Sequence, residues 1–135
     1  MGTRRRGREI ALQILYQADI TSNEYGDAME LFRGNFGAKK ESMSFADCLI
    51  KGIDDHLEDI DARIEKGSEN WKLSRMSATD RNILRMAVYE LIYRDDIPGR
   101  VTLNEAIELA KRFGSDESAA FINGILDNIY RNIKS

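Results

Sequence analysis

Between Arg4 and Ile20 the apolar residues Ile10, Ala11, Ile14, Leu15 and Ala18 recur at helical spacing, and Leu12 and Tyr16 widen the stripe beyond one face. The pattern predicts a central helix. Met29, Leu31, Phe32 and Phe36 mark a shorter one over about Tyr25 to Phe36, limited by Gly34 and Gly37. Ser44-Phe45-Ala46-Asp47 reads as an N-cap with an acidic N3 partner. Phe45, Leu49, Ile53, Leu57, Ile60 and Ile64 then follow at steps of three and four, predicting one long amphipathic helix. A helical turn around Glu69 to Leu73 carries Trp71 as an anchor between longer elements. Ser77-Ala78-Thr79-Asp80 caps the helix expected to be most buried, with Ile83, Leu84, Ala87, Val88, Leu91 and Ile92 in two adjacent columns. Asp95-Asp96-Ile97-Pro98-Gly99 ends it, because the residue before proline is pushed out of the helical region. Thr102-Leu103-Asn104-Glu105 reads as a capping box for a helix through Ala106, Ile107 and Ala110, closed at Gly114. Ser115 opens the last helix, with Ile122, Ile125, Leu126, Ile129 and Ile133 as its core stripe.

No stretch alternates with period two, and Pro98 is the only proline. The expectation is an all-α fold: a compact bundle of six or seven helices in two small helical subdomains, one domain over residues 1–135 with a seam near Lys66–Trp71. A length of 135 residues with 42% hydrophobic and 32% charged positions suits one such domain. No apolar run approaches the ~20 residues of a membrane span, and no secretion signal is visible, so a cytoplasmic location is expected. Cys48 is the single cysteine, which fits a reducing compartment and reads as a small buried apolar residue.

Charge changes the picture more than composition does. The net charge is −3, yet Arg4, Arg5, Arg6 and Arg8 give residues 1–8 a charge of +4 and leave −7 on the remainder. Arginines at a helix start oppose the macrodipole by about 0.3–1 kcal/mol each, so stability does not ask for them there. They form either a solvated, frayed tail or a site for an anion. Phosphate is the anion that planar guanidinium groups and free backbone N–H donors suit best.

Chemistry of the catalytic kind is scarce. His56 is the only histidine, and Asp55 with Asp59, or His56 with Asp59, could share one helix face and hold a divalent cation; a solvated face of the long helix is the better reading. Phosphate-binding glycine loops and G-x-S-x-G elbows are absent, so neither an enzyme nor a cofactor is expected. Phe121 and Tyr16 each read equally as core or as function. An arginine-rich helix start and an aromatic-bearing polar one can jointly line an RNA site if the fold brings them together.

Four segments carry a family resemblance: Arg4-Arg5-Arg6-Gly7-Arg8-Glu9 with Gln13 and Leu15-Tyr16; Ile83-Leu84-Arg85-Met86-Ala87-Val88-Tyr89-Glu90-Leu91; Asn104-Glu105-Ala106-Ile107-Glu108-Leu109-Ala110-Lys111; and Phe121-Ile122-Asn123-Gly124-Ile125-Leu126-Asp127. In this order they resemble the transcription antitermination factor NusB family over nearly the whole chain. The resemblance implies a non-catalytic protein that binds the single-stranded boxA element of ribosomal RNA leaders together with NusE, a small-subunit ribosomal protein, in the RNA polymerase antitermination complex. By position, Arg4, Arg5, Arg6, Arg8 and Gln13 match the family's RNA-binding first helix, and Glu117, Ser118 and Phe121 match its second RNA-contacting segment. Tyr16, Asp80 and Arg94 fall near the NusE-facing surface. The sequence departs from some members in having Ala119 and Ala120, not a lysine, before Phe121. Two alternatives stand beside this reading: a NusB-like RNA-binding domain outside antitermination, or a helical adaptor that binds only protein. A monomer and a homodimer are both open, the latter through apolar flanks such as Leu12.

Overall fold

The computed structural model describes residues 2–32, 37–69 and 71–134, and every regular element among them is helical. In chain order they are α1 (Thr3–Thr21), α2 (Tyr25–Phe32), α3 (Lys40–Asp55), α4 (Leu57–Gly67), a 3₁₀ turn (Leu73–Arg75), α5 (Ala78–Tyr93), α6 (Gly99–Phe113) and α7 (Ser118–Lys134). Gly34 and Phe36 lie outside the described residues, as do the side chains of Leu31 and Phe32. The chain divides into two compact units, residues 1–55 and 56–135.

In the first unit α1 packs along α3, and α2 touches both. Its core combines Ile10, Ile14 and Leu15 of α1 with Phe45, Leu49, Ile50 and Ile53 of α3. Each such side chain contributes about 1.5–3 kcal/mol by leaving water. Gly7 permits the close approach: a Cβ there would stand 2.8 Å from Phe45 Cδ2 and 3.0 Å from the Ser42 carbonyl oxygen. The Ser42 hydroxyl donates to the Thr3 carbonyl at 3.1 Å, tying α3 to the first turn of α1.

In the second unit α5 packs against α4, α6 and α7, around Ile60, Ile64, Ile83, Leu84, Val88, Ile122 and Leu126. Arg85 reaches back to Asp61 with two bonds of 2.9 and 3.0 Å, and Tyr93 donates its hydroxyl to Asp59 at 2.5 Å while stacking on His56 at 3.9 Å. That hydrogen bond, with Arg63 beside it, holds the Asp59 carboxyl below its ordinary range, and Asp59 pushes the Tyr93 hydroxyl up.

Several expectations are corrected. The long helix from Phe45 to Ile64 is two helices, because the chain leaves helical geometry at His56 (φ −122°, ψ 19°), where its ring stacks on Tyr93. The change of unit falls there, not at Lys66–Trp71. Helix α3 begins at Lys40, so Ser44 is interior to it and not a cap. Thr102 is likewise interior to α6; its buried hydroxyl donates to buried Glu90 at 2.8 Å, and Pro98 stands at the helix start. Cys48 is exposed, since α3 buries Ala46, Leu49 and Ile50 and turns position 48 outward. Leu12 is buried and offers no flank for dimerisation, whereas Ile133, in the last turn of α7, is exposed. Ser77 does cap α5: its hydroxyl accepts the Asp80 backbone N–H at 3.1 Å.

Candidate nucleic-acid interface

Helix α1 starts at Thr3 with no acidic residue in its first turn and no side-chain cap, so its arginines stand on the positive end of the helix. Helical periodicity then sorts them. Arg4 and Arg8, four residues apart, lie over the Phe45 ring, their guanidinium carbons 5.2 and 5.4 Å from its centroid. Arg8 is only 4% exposed and serves as packing for that end of α1. Arg5 falls on another face, the one that carries exposed Gln13 and Tyr16. Arg6 flanks that face and pairs with buried Glu9 at 3.3 Å. The arginine block is therefore no frayed tail. It is a helix end braced by an aromatic ring from α3, and Phe45 is the member that hydrophobic patterning assigned to the core alone.

The second predicted segment belongs to the other unit. After Gly114 the chain turns, and α7 begins at Ser118 rather than at Ser115. Ser118 is 1% exposed; its hydroxyl accepts the Ser115 backbone N–H at 2.9 Å and lies 3.2 Å from the Ser115 hydroxyl. A Cβ on Gly114 would overlap that hydroxyl, so glycine is required there for close approach; its φ of −93° is ordinary. Ser118 thus corrects the expectation of a surface contact: it fixes the turn that presents Glu117 to solvent and Phe121, half-buried, to the surface.

Trp71 is not a buried anchor. It is 53% exposed and stands edge-on to Phe121, ring centroids 6.4 Å apart and planes at 70°. Its signal in the sequence was a lone tryptophan in a polar stretch. Beside Phe121 runs a groove of about 560 Å³ between the end of α4 and the outer face of α7. Asn128 spans its base, donating to the Gly67 carbonyl at 2.9 Å.

Of the residues expected at a partner surface, Tyr16 is exposed on α1. Asp80 is 9% exposed, and its Oδ1 is buried with no hydrogen-bond partner among the described residues. Such an oxygen costs about 1–3 kcal/mol, offset in part by the positive end of α5. Arg94 ends α5 and holds Asp96 with two bonds of 2.9 and 3.0 Å. Among the described residues no three of His, Cys, Asp and Glu are grouped to hold a metal ion, and no helix is long and apolar enough to cross a membrane.

The NusB family profile matches residues 5–131. The transcription antitermination protein NusB of Desulfatibacillum aliphaticivorans is 50% identical over 133 residues, covering 98% of this chain and 93% of that protein. Among solved structures, T. maritima NusB superposes with a TM-score of 0.84 at 40% identity, covering 95% of this chain and 90% of that one. A chain from the crystal structure of antitermination factors NusB and NusE in complex with dsRNA gives 0.86 at 27% identity, covering 96% and 97%. The helical architecture is thus that of a known class of small transcription factors. The chain belongs to the NusB family.

Proposed function

We propose that this chain is a non-catalytic transcription antitermination factor of the cytoplasm, which binds the single-stranded boxA element of ribosomal RNA leader transcripts together with NusE in the antitermination complex of RNA polymerase. The observation that carries the reading is the arginine-loaded N-terminal end of α1. Arg4, Arg5 and Arg6 stand in the first turn of α1, where the helix dipole disfavours cations, and Phe45 braces Arg4 together with Arg8. Arg4, Arg5 and Arg6 take RNA phosphates, Gln13 continues that contact along α1, and Arg8 supports it from behind Phe45. Glu117 and Phe121 make the second contact, with Ser118 holding their turn. NusE lies against Tyr16, Asp80 and Arg94. A basic ribosomal protein would suit the acidic side chain of Asp80, which is buried but for a small exposed part.

Filter-binding titration against a boxA-like single strand at several salt concentrations tests this reading. The double variant Arg5→Gln/Arg6→Gln should weaken binding and flatten the slope of log K against log salt by about 1.4, or about 0.7 for each single-strand phosphate no longer neutralised. An unchanged slope means that these arginines meet no phosphate. A duplex competitor run alongside shows whether the site prefers single strands. If the parent binds neither RNA but retains NusE, the chain is an adaptor for protein alone.

A further inference from the structure

The groove beside Phe121 is distinctive in its chemistry. At about 560 Å³ it lies in the size range of small-ligand sites. One end is aromatic: Phe121 lines it, and Trp71, more than half exposed, stands against Phe121. A bare indole of that size is poorly explained as packing, whereas an exposed aromatic face beside a groove is the usual platform for an unstacked base. The groove carries two carboxylates, Glu69 and Asp127, which accept hydrogen bonds and donate none. The amide of Asn128 spends one donor on the Gly67 carbonyl, and the Ser68 hydroxyl bonds the carbonyls of Glu65 and Trp71. The two carboxylates therefore suit a ligand that brings donors of its own. Among the nucleobases only guanine offers two adjacent donors on one edge, its ring N1–H and 2-amino group, which match the two oxygens of a carboxylate. Adenine and cytosine present one amino group beside an acceptor, and uracil one N–H between two carbonyls. Arg131 lines the same groove, and its side chain is 77% exposed. Its 2.6 Å pair with Asp127 is a surface pair of small net worth, so its guanidinium can also meet a phosphate.

We infer that the groove between the end of α4 and α7 takes one unstacked guanine of single-stranded RNA, with Phe121 in the groove and the exposed Trp71 beside it as stacking surfaces, the Glu69 carboxylate accepting from N1–H and the 2-amino group, and Arg131 at the adjoining phosphate. The inference rests on the RNA-binding reading above and extends its second contact beyond Phe121. It assigns to Trp71 and Glu69 a selectivity that the arginine end, which reads phosphate charge, cannot supply.

Trp71 is the only tryptophan in the chain, so its emission reports this site alone. The full chain is titrated with a labelled boxA-like single strand, following RNA anisotropy for total binding and tryptophan emission for occupancy of the groove. A second strand carries inosine, which lacks the 2-amino group, at every guanosine. The expected result is saturable quenching of Trp71 by the guanosine strand and affinity about tenfold lower for the inosine strand. Glu69→Gln should abolish that discrimination. Trp71→Leu should lower affinity about tenfold at an unchanged salt slope, and Trp71→Phe should restore most of it. Because Trp71 is exposed, thermal melting of both variants should match the parent. Emission that stays constant at saturating anisotropy overturns the inference and leaves the arginine contact standing; equal affinity for the two strands overturns the choice of guanine. Absence of any anisotropy change overturns the RNA reading itself, and this inference with it.

Discussion

The arginine end of α1 and the turn that presents Phe121 reach the surface by opposite means. At the first, charge is concentrated where the helix repels it, and an aromatic ring from α3 holds two guanidinium groups in place. At the second there is no basic side chain between Gly114 and Phe121; a buried serine bonds its own turn, and the exposed chemistry is aromatic and acidic. On the proposed function one end would bind through a field that salt screens, and the other through stacking and hydrogen bonds that salt leaves alone. The contrast separates affinity from selectivity. Cations meet any phosphate, while rings and carboxylates distinguish bases.

The sharpest way to break the contrast is to remove the ring under the arginines. Phe45 is buried in the core of the first unit, so Phe45→Ala should cost about 3–5 kcal/mol of folding stability, measured by denaturant titration. RNA binding under conditions where the variant remains folded should fall as well, because Arg4 and Arg8 lose their platform. A variant that loses stability but keeps parental RNA affinity and salt slope would show that Phe45 braces nothing functional. Phe121→Leu comes next. Leucine keeps much of the apolar volume, so binding should weaken about tenfold while the salt slope stays parental, the opposite signature to the arginine variants. Parental affinity would remove the second segment from the interface. The smallest effect belongs to Asp80→Asn. The cap of α5 depends on the Ser77 hydroxyl and the backbone N–H of residue 80, so the substitution should cost at most about 1 kcal/mol in melting experiments while reducing NusE association in a pull-down or calorimetric titration. A lower melting temperature with NusE binding intact would confine Asp80 to its own helix.

Periodicity made the helices legible. The stripe of Ile10, Ile14 and Leu15 and the columns through Ile83, Leu84 and Val88 are buried along α1 and α5. Local cap patterns were less dependable, because S-x-x-D and T-x-x-E also occur inside helices. Ser44 sits interior to α3, and Thr102 gives its hydroxyl to Glu90, a partner twelve residues away that no local window contains. The break at His56 was hidden for a similar reason: the apolar steps continue through it, and the ring that stacks on His56 comes from Tyr93 of α5, far along the chain. Of the candidate site, the arginines and Phe121 were legible as residue types, but burial was not. Nothing in the order of residues distinguishes Arg8, packed at Phe45, from exposed Arg5, or makes Ser118 an internal brace.

The support that α3 lends to the start of α1 also has a consequence for the order of events during synthesis. In the second unit α5, α6 and α7 follow one another with short connections, so neighbours in the chain are neighbours in space and contacts close over small loops. The first unit differs: Thr3 meets Ser42, and Arg4 and Arg8 meet Phe45, across almost the whole unit. Chains emerge from the ribosome N-terminus first, so the arginines reach solvent well before the ring that braces them has been made. Until residue 45 has emerged and α3 has docked, the growing chain carries an unbraced cationic segment, and that tip acquires its geometry only when the first unit closes.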